Sequence, residues 1–206
     1  MGDVHMVSNS KNTESIVRAA MELFREKGYS CVTVKDICSR SGVATSSFYT
    51  VFSGKDDILV HILKGQKDDF EDTMLNLLTA NSSLEKLWVL YKKYLDLGEA
   101  FGAELVSAMF KLELDGRMSL ISSVNDYVKK YNSWFVRFVD ECQKAGVIQN
   151  PGNAAELVPM GVRLTYFVLL EWCAAKGAYS LKERAFKEME SFYNVRESLR
   201  GIYKNI

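Results

Sequence analysis

Histidine is almost missing from this chain of 206 residues, which carries only His5 and His61. No H-E-x-x-H, no G-x-S-x-G and no phosphate-binding glycine loop occurs, so catalytic, metal and cofactor chemistry have no foothold and an enzyme is not expected. Proline is as scarce, at two residues, while Leu, Met, Lys, Glu and Ala are plentiful. That balance favours long helices over a sheet of short strands, and the expected class is all-α. An excess of either charge is missing too: 26 basic residues face 26 acidic ones. A protein that holds nucleic acid by bulk electrostatics is thereby excluded, and any DNA affinity must be local.

The four cysteines, Cys31, Cys38, Cys142 and Cys173, lack the close pairing of a zinc site and read as small core residues, with Cys38 and Cys173 left open as thiol sensors. No basic segment followed by an apolar run opens the chain. Residues Met1 to Asn9 read as a frayed polar tail, and the expected location is cytoplasmic. The most apolar stretch, Leu157 to Ala175, is interrupted by Pro159, Arg163 and Glu171. A buried helix is expected there rather than a membrane span.

What is present is helical periodicity with punctuation. Ile16, Val17, Ala20, Leu23 and Phe24 recur at helical spacing and Gly28 stops the run, giving a first helix over about Ser10 to Lys27. Thr33 followed by Asp36 has the form of a capping box and opens a short helix, Val34 to Arg40. Gly42 breaks the chain, and another short helix follows over Thr45 to Val51. Ser53 ahead of Asp56 opens a long fourth helix, Gly54 to Ala80. Ser82 with Glu85, Asn153 with Glu156 and Ser180 with Glu183 repeat the capping signature. Phe101 to Leu114 and Leu120 to Ala145 are further helical runs, separated by Asp115-Gly116-Arg117. About nine helices result, without internal repeats or a flexible linker.

Two short helices joined by a glycine turn form the helix-turn-helix used to read the major groove. The stretch Thr33-Val-Lys-Asp-Ile-Cys-Ser-Arg-Ser-Gly-Val-Ala-Thr-Ser-Ser-Phe-Tyr-Thr-Val-Phe-Ser-Gly-Lys-Asp-Asp-Ile-Leu59 resembles the signature of the TetR (tetracycline repressor-like) family. The leading pattern Ile16-Val-x-Ala-Ala-x-x-Leu-Phe-x-x-x-Gly28-Tyr extends the resemblance over Ser10 to about Leu63. It implies a dimeric DNA-binding regulator, usually a repressor, with an N-terminal three-helix DNA-binding bundle and a C-terminal helical domain that binds a ligand and dimerises. The expected boundaries are 8–54 for the first and 55–206 for the second, with the fourth helix joining them.

On the third helix Ser47, Phe48 and Val51 share one side, while Thr45, Ser46, Tyr49 and Thr50 share the other. The first face should pack on a small core of Phe24, Ile37, Phe48, Phe52 and Ile58, and the second should face DNA. By resemblance, Tyr49 and Lys55 match positions that contact phosphates, and Thr33 and Lys35 lie where the family also meets the backbone. Thr45, Ser46 and Thr50 are the candidates near base edges. Ala44, Thr45 and Thr50 depart from the residues the family often carries, which leaves the operator sequence open. Between Ser8 and Leu59 seven basic residues face six acidic ones, so dimerisation must supply much of the affinity.

The C-terminal half is rich in aromatic residues, most of them expected as core. By resemblance a pocket lies among the fourth to eighth helices, with Met74, Trp88, Phe110, Tyr127, Tyr131, Trp134 and Tyr166 as candidate walls for an apolar or aromatic small molecule. Arg163, inside an apolar helix, should either pair with an acid such as Glu113 or meet an anionic ligand. The last two helices resemble the family's dimer elements, with Leu164, Phe167, Val168, Trp172, Phe192 and Val195 as the seam. The expected partners are therefore a double-stranded DNA operator, a small-molecule effector and a second copy of the chain. A ligand-independent DNA binder and a thiol sensor stand as alternatives.

Overall fold

A computed structural model describes the backbone of residues 2–65, 70–118 and 120–205, and their side chains apart from 2–10, 63–65, 70–72, 120–125, 127 and 205. Among the described residues there are nine α-helices: α1 (Gly2–Lys27), α2 (Val34–Ser41), α3 (Thr45–Tyr49), α4 (Lys55–Gly65), α5 (Phe70–Thr79), α6 (Ser83–Leu114), α7 (Leu120–Lys144), α8 (Ala154–Ala174) and α9 (Leu181–Phe192). Two short 3-10 turns, Glu197–Leu199 and Ile202–Asn205, end the chain. A single antiparallel bridge, Ile148 with Val195, is the sole β pairing among these residues. The fold is all-α.

Several helix ends differ from the expected ones. The tail expected to fray is helical from Gly2, because adding residues to a helix already nucleated downstream costs little when no proline intervenes. Within the stretch expected as one long helix from Gly54 to Ala80, α4 and α5 are helical and residues 66–69 between them lie outside the described residues. Helix α6 spans Ser83 to Leu114. It is broken inside by Gly102 at φ 79° and ψ 158°, a backbone region that only glycine enters without strain. The break falls where the sequence separates two runs at Phe101.

The capping signatures act as expected. The Thr33 hydroxyl accepts from the Asp36 amide while the Asp36 carboxylate accepts from the Thr33 amide, and Gly42 ends α2 in the left-handed region at φ 70°. Asn153 caps α8 and Ser180 caps α9. At α4 the acid that serves Ser53 is Asp57 rather than Asp56: it accepts from the Ser53 amide at 2.9 Å and from its hydroxyl.

The chain forms two compact units: Met1–Lys67 with Ala108–Leu120, and Asp68–Ser107 with Ile121–Ile206. Helix α4 and the later stretch 108–120 cluster with the N-terminal helices. In the first unit Ile16, Phe24, Ile37, Phe48, Phe52, Ile58 and Leu59 make the core, each stabilising by roughly 1.5–3 kcal/mol. Arg117, in the segment after α6, donates to the Asp56 carboxylate at 2.7 Å and lies 3.7 Å from Asp57, tying that segment to the start of α4.

In the second unit the core is aromatic. Trp88 of α6 packs against Phe186 and Tyr193, and Tyr91 packs edge-on against Phe135 of α7. The Tyr91 and Tyr193 hydroxyls are hydrogen-bonded at 2.7 Å, and burial holds both phenols neutral by raising their pKa. They abut Gly161 of α8, where an added Cβ would lie 2.5 Å from one hydroxyl and 2.8 Å from the other. Tyr203 stacks on Phe186 at 4.8 Å, fastening the chain's last turn.

Helix α8 is long and apolar enough, by length and composition, to cross a membrane, so Arg163 and Glu171 do not disqualify it as expected. Its inner face, including Leu157, Val158, Val162, Val168 and Trp172, is buried against the rest of the protein, as for a core helix.

Candidate nucleic-acid interface and effector unit

Helix α3 has only five residues and no side-chain cap at Ala44, so nothing within it fixes its direction. Phe48 does so from beneath. It is fully buried, and its ring meets Phe52 at 5.9 Å and the edge of Tyr49 at 5.4 Å. With Phe48 inward, Ala44, Thr45, Ser46, Tyr49 and Thr50 are exposed, Tyr49 by 56%. An exposed short helix whose outer residues are small and hydroxylated, set on a rigid aromatic base, can enter a major groove without steric conflict. Thr33 and Lys35 are exposed at the start of α2, so the structure brings the expected contact residues to the surface of α2 and α3.

Lys55 is arranged differently. Its ammonium donates to the carbonyl oxygens of Tyr29 at 2.7 Å, Val32 at 3.0 Å and Ser30 at 3.4 Å, and lies 4.4 Å from the centre of the Tyr29 ring. Three donors meet three acceptors, so the group closes the turn between α1 and α2 rather than being offered to a phosphate. Tyr29 completes the bracket through its hydroxyl, which donates to Asp56. Lys55→Ala should therefore cost stability, about 1.5–3 kcal/mol for a charged hydrogen bond, and leave the salt dependence of DNA binding unchanged. Lys35→Ala should leave stability unchanged and lower the slope of log affinity against log salt by about 1. Urea unfolding and salt titrations of binding check both.

The effector candidates divide. Trp88 and Tyr131 are buried, and Trp134 and Tyr166 are half-buried in the second unit. Tyr131 and Trp134 form a pair at 5.4 Å on α7. Met74 is half-buried on α5. Phe110 belongs to the first unit and is not grouped with the others. The side chain of Tyr127 lies outside the described residues. Arg163 is exposed on α8, so it pays no desolvation and requires neither an internal acid nor an anionic ligand. The expected seam also changes: Val168, Trp172 and Val195 are buried within the protomer, whereas Phe167 is exposed.

The cysteines give the thiol alternative no support. Cys38 and Cys173 are buried, burial raises the Cys173 thiol, and the buried Cys142 thiol is pushed up to about 12, the reverse of a reactive thiolate. Sequence reasoning missed Tyr29, Asp57 and Arg117. Asp115-Gly116-Arg117 carried a separator's composition and no sign of its partner 61 residues away.

The family model for bacterial regulatory proteins, tetR family, matches residues 16–62. The chain is 29% identical over 118 residues to the fatty acid metabolism regulator protein of Bacillus subtilis (strain 168), a match covering 56% of this chain and 60% of that protein, less than two thirds of its length. It is 24% identical over 182 residues to HTH-type transcriptional repressor KstR2 of Mycobacterium tuberculosis (strain ATCC 25618 / H37Rv), covering 85% of this chain and 87% of that one. Among solved structures, the transcriptional regulator FadR from Bacillus subtilis in complex with stearoyl-CoA shares the fold with a TM-score of 0.57 and 24% identity, over 87% of this chain and 97% of that chain. The match to the tetR-family model thus covers residues 16–62, and the helical fold is shared over most of the chain's length.

Proposed function

We propose that the protein is a ligand-responsive transcriptional repressor that binds a near-palindromic operator as a dimer and releases it when a small apolar or aromatic molecule occupies the second unit. The observation that carries this reading is the exposed hydroxyl face of α3 above a fully buried Phe48, since such a face contributes nothing to a core. Thr33, Lys35 and Tyr49 serve the phosphate backbone, and Thr45, Ser46 and Thr50 approach the bases. The domain reading becomes one of compact units, the first for DNA and the second for effector and partner.

Dimerisation through the last two helices is supported by α8, where Met160, Phe167 and Leu170 are 50%, 58% and 48% exposed at helical spacing on one side. The outer side of α9 is charged, with Glu183–Lys187 and Arg184–Glu188 pairs, so α8 supplies the apolar part of the seam. A second copy on that stripe sets two recognition helices about 34–36 Å apart, or a multiple of it, for successive major grooves. Phe167→Asp should yield monomers in sedimentation and reduce operator affinity at least tenfold.

The effector acts by population shift, weakening DNA binding only as far as its affinities for the two dimer conformations differ. Helix α6 contributes residues 83–107 to the second unit and 108–114 to the first. Long-chain acyl-CoA is the first effector class to try, given the stearoyl-CoA in the Bacillus subtilis FadR structure and the aromatic second unit here.

The test is selection of sites from random DNA with the full chain. An enriched inverted repeat, bound more weakly by Tyr49→Phe and released by stearoyl-CoA or by an apolar or aromatic small molecule, is the expected result. Absence of any enriched sequence at low salt would overturn the DNA-reading assignment.

A further inference from the structure

Base-specific readers usually act in pairs of hydrogen bonds: Arg or Lys on guanine, Asn or Gln on adenine, Asp or Glu on cytosine. From Val43 to Thr50 the chain reads Val-Ala-Thr-Ser-Ser-Phe-Tyr-Thr and contains none of them. The nearby cations do not fill the gap. Arg40 of α2 is held by both oxygens of Glu26, at 3.0 and 2.8 Å, and lies 3.5 Å from Glu22. Lys55 is spent on three carbonyls. Lys35 remains exposed at the start of α2, suited as a point charge to a phosphate.

What the reading face does present is methyl groups and an aromatic edge. Thr50 donates its hydroxyl to the Ser47 carbonyl at 2.7 Å. That bond fixes the rotamer and leaves the γ-methyl as the free end of an exposed side chain. Ala44 and Thr45 add two more exposed methyl groups, and Tyr49 is braced edge-on by Phe48 at 5.4 Å with an interplanar angle of 82°. The apolar feature of the major groove that fits such a surface is the C5-methyl of thymine.

We infer that α3 reads its half-site mainly through thymine methyl groups, so that the operator is a thymine-rich inverted repeat in which no single G·C pair is indispensable. The inference rests on the DNA-reading assignment above. Specificity is then spread thinly over several positions and completed by half-site spacing and by the stiffness of A·T-rich DNA.

Deoxyuracil and 5-methylcytosine test it, because they remove or add the methyl group and little else. Sites selected with the full chain are resynthesised with uracil at each enriched thymine in turn. Each replacement should weaken binding by about three- to tenfold. Where cytosine replaces a preferred thymine, 5-methylcytosine should recover part of the loss. Thr45→Ser and Thr50→Ser, which keep the hydroxyl and delete the methyl, should each erase the uracil penalty at one position per half-site while the protein stays folded by circular dichroism. Binding that ignores uracil, or one G·C pair whose change costs about 100-fold or more, overturns the inference while leaving the protein a DNA reader. A pool that yields no enriched site overturns both.

Discussion

Phe48→Ala abolishes operator binding and lowers the stability of the first unit by about 3–5 kcal/mol, the largest loss expected from any single truncation in that unit. The ring is fully buried between Phe52 and Tyr49. Its removal leaves a cavity in a unit too small to absorb one. The functional loss exceeds the energetic one, because a five-residue helix without a side-chain cap has no stability of its own. Once Phe48 is gone, the reading face loses its angle even in molecules that stay folded. Calorimetry should register destabilisation of the first unit with the transition of the second preserved, and gel-shift titration should register the loss of binding. Ser46→Ala, on the outer face of the same helix, is the control: folding stays intact and affinity falls only modestly. Normal operator affinity in Phe48→Ala would mean that α3 is positioned by something other than its own buried side.

Gly161→Ala carries the second large effect, in the other unit. The added methyl would sit 2.5 Å from the Tyr91 hydroxyl and 2.8 Å from that of Tyr193. Neither ring can step aside cheaply, since both are buried and packed against Trp88. Overpacking costs about 1–3 kcal/mol, and separating a buried hydroxyl pair adds about 1–3 kcal/mol. A total of about 2–6 kcal/mol is expected in urea unfolding. Tyr91→Phe combined with Tyr193→Phe deletes both obstructing oxygens, after which the nearest heavy atom is the Cζ of ring 91 at 3.3 Å. The triple variant should therefore be more stable than the separate effects add up to, by about 1–2 kcal/mol. Strict additivity would show that the hydroxyls are not what Gly161 makes room for.

The N-terminal unit was the more legible in sequence because its signals are local. Thr33 and Asp36 lie three residues apart, Gly42 marks its own turn, and the division of α3 between Phe48 and Tyr49 is a matter of helical period. The ends of the other helices were read less well. Whether helical pattern breaks at Gly102 depends on backbone geometry that period alone does not encode. Least legible were the long-range polar partners. Lys55 matches a phosphate-contacting position, yet its ammonium is aimed at carbonyls more than twenty residues earlier. Arg163 looked costly because its neighbours in sequence are apolar, although three-dimensional exposure removes the cost. Aromatic abundance likewise could not sort Trp88, fixed in a core with Phe186 and Tyr193, from residues that line a pocket.

The return of residues 108–120 to the first unit bears on how regulators of this kind can be recombined. A recombination that swapped only the first 67 residues between two such proteins would pair a new α4 with the old Arg117 segment. Asp56 and Asp57 would then meet whatever residue the recipient happened to carry at that place. A transplanted reading head therefore has to travel as two separate stretches of gene, and a point change in the second stretch can disable a head whose own sequence is intact.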